Sequence, residues 1–219
     1  MRILAIDTST MISTVTILED DKIIGDFNVN QQKTHSESLV PMIETLLDLL
    51  GLSIKDIDLF AIAKGPGSFT GLRIGMTVAK TLAQVNNKPI VSISTLKALA
   101  LNASTDKYTV SMIDARSNRI YGAMYKGYDK KEIIKEDLYK IEDFSKLVNE
   151  YEGEKILIGE VSKKYKDNFN DAKVLGYNYD NCIGKSIVRL ADEMKEYEDV
   201  FSITPNYMRK SQAERDRKK

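Results

Sequence analysis

The pattern of apolar and polar positions divides the chain into short buried strands and amphipathic helices. Residues 2–7 read as a buried strand ending in an acid, and 14–18 and 22–29 read as a hairpin joined by Glu19-Asp20-Asp21. A helix is predicted from about Ser36 or Ser38 to Leu50, with Gly51 as its C-cap and Pro41 in its first turn. Its apolar residues Leu39, Met42, Ile43, Leu46, Leu47, Leu49 and Leu50 cover more than one face, so it is either buried on two sides or meets a partner. Residues 57–63 form a buried strand that runs into Gly65-Pro66-Gly67-Ser68-Phe69-Thr70-Gly71 and then a helix to about Asn86. Residues 88–93 are another strand, and Ser94 or Thr95 caps a short helix to about Asn102.

The second half opens in a similar way. Residues 108–114 are a strand ending in an acid, 119–125 its hairpin mate, and 132–135 a third strand. A helix at 142–150, a strand at 155–159, a helix at 161–169, a weak strand at 173–175 and a helix at 184–197 follow. The charged tail 210–219 reads as disordered. Each half has an acid-ended strand leading into a hairpin, Ile6-Asp7-Thr8-Ser9 in one and Ile113-Asp114-Ala115-Arg116 in the other, which makes them degenerate copies. The order βββαβαβα predicts a mixed sheet covered by helices.

The glycine loop is the candidate chemical feature. Strand, glycine turn and helix N-terminus together make an anion site, with Ser68 or Thr70 as the cap, or else simply a tight turn. It is not a Walker A loop, since the Gly-Lys-Ser/Thr ending is absent. In the helix behind it, Gly71, Gly75, Ala79 and Ala83 recur at every fourth position and form a ridge that lets another helix approach closely and must pack against something, in this chain or another. Ile74, Val78, Leu82 and Val85 form a neighbouring apolar stripe, most simply core.

Composition narrows the field. Lys plus Arg and Asp plus Glu each total 32, so no global charge recruits nucleic acid or a membrane. The only cysteine, Cys182, excludes an internal disulfide, and the only histidine, His35, excludes paired-histidine metal chemistry and more often ends a loop than binds a ligand. No apolar run reaches the ~18 residues of a membrane span, and the start of the chain is unlike a signal peptide, so the expectation is a cytoplasmic protein without membrane contact. Arg73 and Arg116 either line a phosphate or pair with carboxylates. The basic residues Arg209, Lys210, Arg215, Arg217, Lys218 and Lys219 read as a solvated tail, diluted by Glu214 and Asp216.

Several motifs taken together resemble the TsaB (YeaZ) family. They are Ile3-Leu4-Ala5-Ile6-Asp7-Thr8-Ser9, His35-Ser36-Glu37-Ser38-Leu39-Val40-Pro41, Gly65 through Gly75, Ser94-Thr95-Leu96 and Ile113-Asp114-Ala115-Arg116. Pro205-Asn206-Tyr207-Met208-Arg209 is similar to the family's closing motif, with Met in place of Leu. The resemblance runs from residue 1 to about 209 and implies an α/β fold of the actin, hexokinase and Hsp70 superfamily. That fold has two tandem ribonuclease H-like, actin-like βββαβαβα subdomains, the second degenerate. The expected division is 1–103, with the partner-binding helices, then 104–209, then the tail.

The function implied is that of a non-catalytic subunit in making threonylcarbamoyladenosine next to the tRNA anticodon. The implied partners are the paralogous transferase TsaD and the ATPase TsaE, with a homodimer when the chain is alone and tRNA reached through the complex. No cofactor is required by this chain, though ATP or ADP at the interface with TsaD fits the resemblance. Asp7, Gly67, Ser68 and Arg116 are the expected nucleotide-facing residues. Leu39, Met42, Ile43 and Leu46, with Gly71, Gly75, Ala79 and Ala83, are the expected partner-binding residues. Working ATPases of the superfamily have glycine turns after the two aspartates, where this chain has Thr8 and Ala115-Arg116. Side chains there hinder close approach of a phosphate. The paired histidines of TsaD-like metal catalysis are missing as well. Alternatives are a small-molecule kinase of the same superfamily, or a peptidase of the older M22 glycoprotease label, which one histidine argues against.

Overall fold

The computed structural model describes residues 1–30, 35–176, 183–194 and 196–209. Its first sheet is built around β1 (Arg2–Asp7), in which Ile3, Leu4, Ala5 and Ile6 have no exposed surface. The strand is apolar on both sides because it is central. β2 (Ile12–Glu19) pairs with it antiparallel on one edge and β4 (Leu59–Gly65) parallel on the other. β3 (Lys22–Asn30) and β5 (Ile90–Ser94) complete the order β3-β2-β1-β4-β5.

The second sheet contains β6 (Tyr108–Asp114), β7 (Arg119–Lys126), β8 (Lys131–Lys140), β9 (Lys155–Ile158) and β10 (Ala172–Val174). Its order, β8-β7-β6-β9-β10, repeats that of the first sheet strand for strand. Antiparallel and parallel pairings fall in the same places. Asp7 and Asp114 therefore end equivalent central strands, and the chain has the duplicated α/β plan of the actin-like fold.

Helices α1 (His35–Leu50) and α2 (Phe69–Val85) cover one face of the first sheet, sharing a core with Leu4, Ile6, Phe60 and Ile62. On its other face lie α3 (Thr95–Leu101) and α5 (Gly184–Asp192), and α4 (Ile141–Asn149) covers the far face of the second sheet. One core runs from Ile3, Ala5 and Val91 through Leu96, Leu99 and Ile187 to Ile113, Tyr121 and Tyr125. The expected division at residue 103 falls between the two sheets, and this shared core joins them. α3 packs on β6 and β7, while α5, from the second half of the chain, lies across the first sheet. Gly184 makes that approach possible, since a Cβ there would lie 1.9 Å from Thr16 Oγ1. A hydrogen-bond bridge joins the halves as well, with the hydroxyls of Ser94 and Tyr125 both donating to Glu136.

Three expected elements differ. α1 begins at His35, so Pro41 sits inside the helix and offers no N–H to the Glu37 carbonyl. Residues 161–169 form turns and a short 3-10 segment, Lys166–Asn168, rather than a helix. Val161, Tyr165 and Phe169 still reach the core, but an asparagine clasp fixes the segment's end. Asn149 Nδ2 donates to the Asn168 carbonyl, and the Asn170 N–H donates to Asn149 Oδ1. α5 stops at Asp192, and Glu198 then forms an isolated bridge with Ile90, its carboxylate accepting from the Ser92 N–H and hydroxyl. The tail 210–219 and Cys182 lie outside the described residues.

The largest correction concerns the ridge on α2. Gly71, Gly75, Ala79 and Ala83 are buried against the chain's own sheet, not offered to a partner. A Cβ on Gly71 would lie 1.9 Å from the Thr8 carbonyl oxygen, and one on Gly75 would lie 2.3 Å from Thr8 Oγ1. Thr8 Oγ1 also donates to the Gly71 carbonyl at 2.7 Å. Leu39, Met42, Ile43 and Leu46 are likewise buried in the same core, because α1 turns its most apolar face inward. Bulk on the ridge therefore disrupts the fold. Gly75→Leu is expected to cost about 2 kcal/mol or more in urea unfolding; an unchanged unfolding midpoint would refute this packing.

Candidate functional site

Between the two halves lies a cleft of about 480 Å³ whose walls include Ser9, Thr10, Gly67 and Ser68 on one side and Asp114, Arg116 and Glu160 on the other. The α2 N-terminus points its free N–H groups toward this region, with Ser68 as N-cap accepting from the Gly71 N–H at 3.3 Å. The loop before it is packed onto the turn after β1. The Ser68 N–H donates to the Ser9 carbonyl at 2.7 Å, and a Cβ on Gly67 would lie 2.4 Å from that same oxygen. Gly67 is thus required by a protein contact, and one loop donor is already engaged.

On the opposite wall, Arg116 has φ +61° in a tight turn, with its N–H on Asp114 Oδ1 at 2.9 Å. The Asp114 N–H in turn donates to Glu160 Oε1 at 2.9 Å. Of the residues expected to face a nucleotide, Gly67, Ser68 and Arg116 line this one cleft.

Asp7 does not line it. The residue has no exposed surface; its Oδ1 accepts from the Ser9 N–H at 2.8 Å, and Oδ2 has no partner among the described residues. Burial pushes its pKa up to about 6, against the pull of the Ser9 hydrogen bonds. Among the described residues, no cluster of three or more His, Cys, Asp or Glu could hold a metal, and no helix is long and apolar enough to cross a membrane.

His35 turns out to be a staple. Its Nε2–H donates to the Thr10 carbonyl at 2.9 Å, which leaves Nδ1 to accept from the Ser13 hydroxyl at 2.7 Å. The pair has the chemistry of a serine–histidine dyad, but Ser13 is only 2% exposed and the imidazole is oriented by a main-chain carbonyl. It pins the start of α1 to the β1–β2 turn and presents no nucleophile.

Two features escaped the sequence reading. Residues 196–209 form a strap over the first half. Lys80 Nζ donates to the Phe201 and Ile203 carbonyls, the Asn206 N–H to the Lys64 carbonyl, and Arg209 reaches across to the Ala115 carbonyl of the second half. Asn206, Tyr207, Met208 and Arg209 line the cleft, so the strap joins its two walls. The strap also sets Arg73, whose Nε donates to the Tyr207 hydroxyl at 3.0 Å while its guanidinium lies 4.1 Å from the Phe69 ring centre. The second feature is a groove between α1 and α2, lined by Val40, Ile74, Thr77 and Val78, with His35 and Arg73 at its N-terminal end. The closing Pro-Asn-Tyr-Met-Arg motif was visible, but its target on α2 was not.

The buried Asp7 carries a testable pH dependence. Its folded pKa lies above its unfolded one, so the folded state holds the extra proton between about pH 4 and 6. Stability therefore falls as pH rises through that window, and the penalty is complete above it. Asp7→Asn is expected to stabilise the fold by about 1–2 kcal/mol at pH 7 and by almost nothing at pH 3.5, measured by denaturant unfolding. Equal gains at both pH values would refute the buried-charge account.

A sequence profile of the family described as TsaD, tRNA N6-adenosine threonylcarbamoyltransferase, matches residues 22–215. The chain is 30% identical to the tRNA threonylcarbamoyladenosine biosynthesis protein TsaB of Bacillus subtilis, over 98% of this chain and 96% of that one. The Escherichia coli protein of the same name is 37% identical over 57% of this chain and 55% of its own. A Pseudomonas aeruginosa crystal structure, of a protein described as similar to peptidase YEAZ, superposes with a TM-score of 0.82. It is 24% identical and covers 95% of this chain and 99% of its own, a likeness of fold. With motifs, duplicated topology and near full-length similarity in agreement, the chain belongs to the TsaB (YeaZ) family.

Proposed function

We propose that the chain is a non-catalytic subunit in the synthesis of threonylcarbamoyladenosine on tRNA. It acts by contact, pairing with a TsaD-type transferase of the same fold and working with the ATPase TsaE; alone it forms a homodimer. A separate enzyme supplies threonylcarbamoyl-AMP, and tRNA is engaged through the complex. The observation that carries this reading is the near full-length similarity to proteins named for that pathway.

The geometry supports a contact role. On the outer side of α1 and α2, Val40 is 44% exposed and lines one groove with the half-buried Ile74 and Val78, and Val85, 78% exposed, follows two turns after Val78 on α2. Exposed apolar side chains gathered in this way fit an interaction site. The cleft supports the absence of chemistry by the isolated chain. Thr8 packs on α2, Ser68 donates to Ser9, the Asp7 carboxylate is sealed from the cleft, and the strap spans the walls. A nucleotide, where one takes part, belongs in this reading at the interface with the transferase.

Reconstituted modification of tRNA with labelled threonine, the threonylcarbamoyl-AMP synthase, TsaD and TsaE tests the proposal. Modification is expected to depend on this chain and to fall at least about tenfold with Val40→Asp or Val78→Asp. Full modification without the chain would overturn the reading.

A further inference from the structure

The end of the second sheet beside the cleft presents cations that the protein leaves uncompensated. Arg119 of β7 and Lys140 of β8 stand directly opposite each other, as do Tyr121 and Leu138 one step further in. Side chains alternate along a strand, so the two cations share the face of Tyr121, which lines the cleft. Like charges placed in this way repel. Arg116, another residue of the cleft wall, stands in the turn just before Arg119. All three are exposed, and none enters an ion pair among the described residues. The pair at the other end of these strands, Lys126 opposite Lys131, differs, because Lys126 lies 4.4 Å from the Tyr108 ring centre. The neighbouring acids are occupied or turned away. Asp114 and Glu160 each accept a main-chain N–H, while Glu142 and Asp143 belong to the first turn of α4 on the opposite face.

The turn before Arg119 faces outward. Arg116, Ser117 and Asn118 have φ of +61°, +56° and +54°, a left-handed run that residues other than glycine adopt at a cost. It is held by the Arg119 N–H on the Arg116 carbonyl and the Ile141 N–H on the Asn118 carbonyl. The N–H groups of Ser117 and Asn118 have no partner among the described residues, and both side chains are exposed.

We propose that this basic turn, with Lys140 beside it, binds the phosphate backbone of tRNA, so that the chain itself supplies part of the tRNA contact. This deepens the function proposed above and rests on it. Guanidinium and ammonium groups, hydroxyls and free main-chain N–H groups are the donors that hold phosphate oxygens. None of the large exposed apolar side chains belongs to this turn, to β7 or to β8, whereas a protein interface centres on such groups. Contacts to the backbone position the tRNA and carry no sequence information.

The test measures binding of labelled tRNA to the purified full chain by fluorescence anisotropy across a salt series. The variants are Arg116→Ala, Arg119→Ala and Lys140→Ala, with Lys146→Ala on the exposed side of α4 as control. Each of the three is expected to weaken binding at least about threefold and to lower the slope of log affinity against log salt by about 0.7–0.9. The control is expected to change neither. Arg119→Ala and Lys140→Ala are also expected to keep or raise the urea midpoint, because each relieves the cross-strand repulsion. In reconstituted modification the triple variant is expected to co-purify with TsaD and to raise KM for tRNA at least about tenfold at unchanged kcat. No binding by the native chain in about 50 mM salt, or losses equalled by Lys146→Ala, would overturn the proposal. Loss of TsaD pairing in the triple variant would overturn it too, by making the patch a protein contact. Modification that requires the chain but is indifferent to the triple variant would remove the tRNA contact and leave the contact role standing.

Discussion

The contact between α2 and the backbone of Thr8 is the constraint on which the rest of the structure depends. Gly71 and Gly75 have no side chain because the helix lies directly on the end of β1, and Thr8 returns a hydrogen bond to the Gly71 carbonyl. That close seat fixes the glycine loop against Ser9, which orients the α2 N-terminus at the cleft. It also fixes which side of α2 remains outside, and so what the groove beside α1 is made of. Close approach of this kind is intolerant of added volume, since interiors pack at crystal-like density.

Seen from that contact, cleft and outer face have opposite characters. Around the cleft, polar groups are engaged by the protein itself: Ser68 by Ser9, Asp114 by Arg116 and Glu160, and the two walls by Arg209 through the strap. A fully buried carboxylate with a pKa near 6 is a standing cost to stability at neutral pH, of a kind found where a fold keeps a group for reasons other than stability. The outer face of α1 and α2, by contrast, keeps apolar side chains and exposed charges, among them Glu44 and Asp48, in solvent. One surface is closed inward and the other is left incomplete, which is the arrangement expected of a protein that works by docking.

Much of this was visible in the residues. The buried strands, the acid ends at Asp7 and Asp114, the Ser68 cap and the repeated order of elements along the chain follow from apolar runs, turn residues and capping chemistry, all of which act locally. The misreadings concern what meets what. Small residues at every fourth position show that something comes close but not whether it is a partner helix or the chain's own sheet, and here it is Thr8 and Ile62. Val161, Tyr165 and Phe169 have helical spacing, yet turns satisfy the same core contacts once Asn149 clasps the segment's end. The return of α5 and the strap to the first sheet depends on long-range contacts, Gly184 on Thr16 and Glu198 on Ser92, that no local pattern encodes. Gly67, Ser68 and Arg116 do share one cleft, while Asp7 lies sealed from it beneath the turn that the glycine loop packs on; Asp114, at the equivalent strand end, is exposed and lines the cleft.

On the reading proposed above, the chain contributes contacts and no chemistry of its own. The most direct measurement is ATP turnover by the purified chain alone, followed with labelled ATP at saturating magnesium and compared with an Asp114→Asn variant. No turnover above background is expected for either protein. Sustained hydrolysis by the unmodified chain, lost in the variant, would show that the cleft is a working phosphate site and would contradict the account.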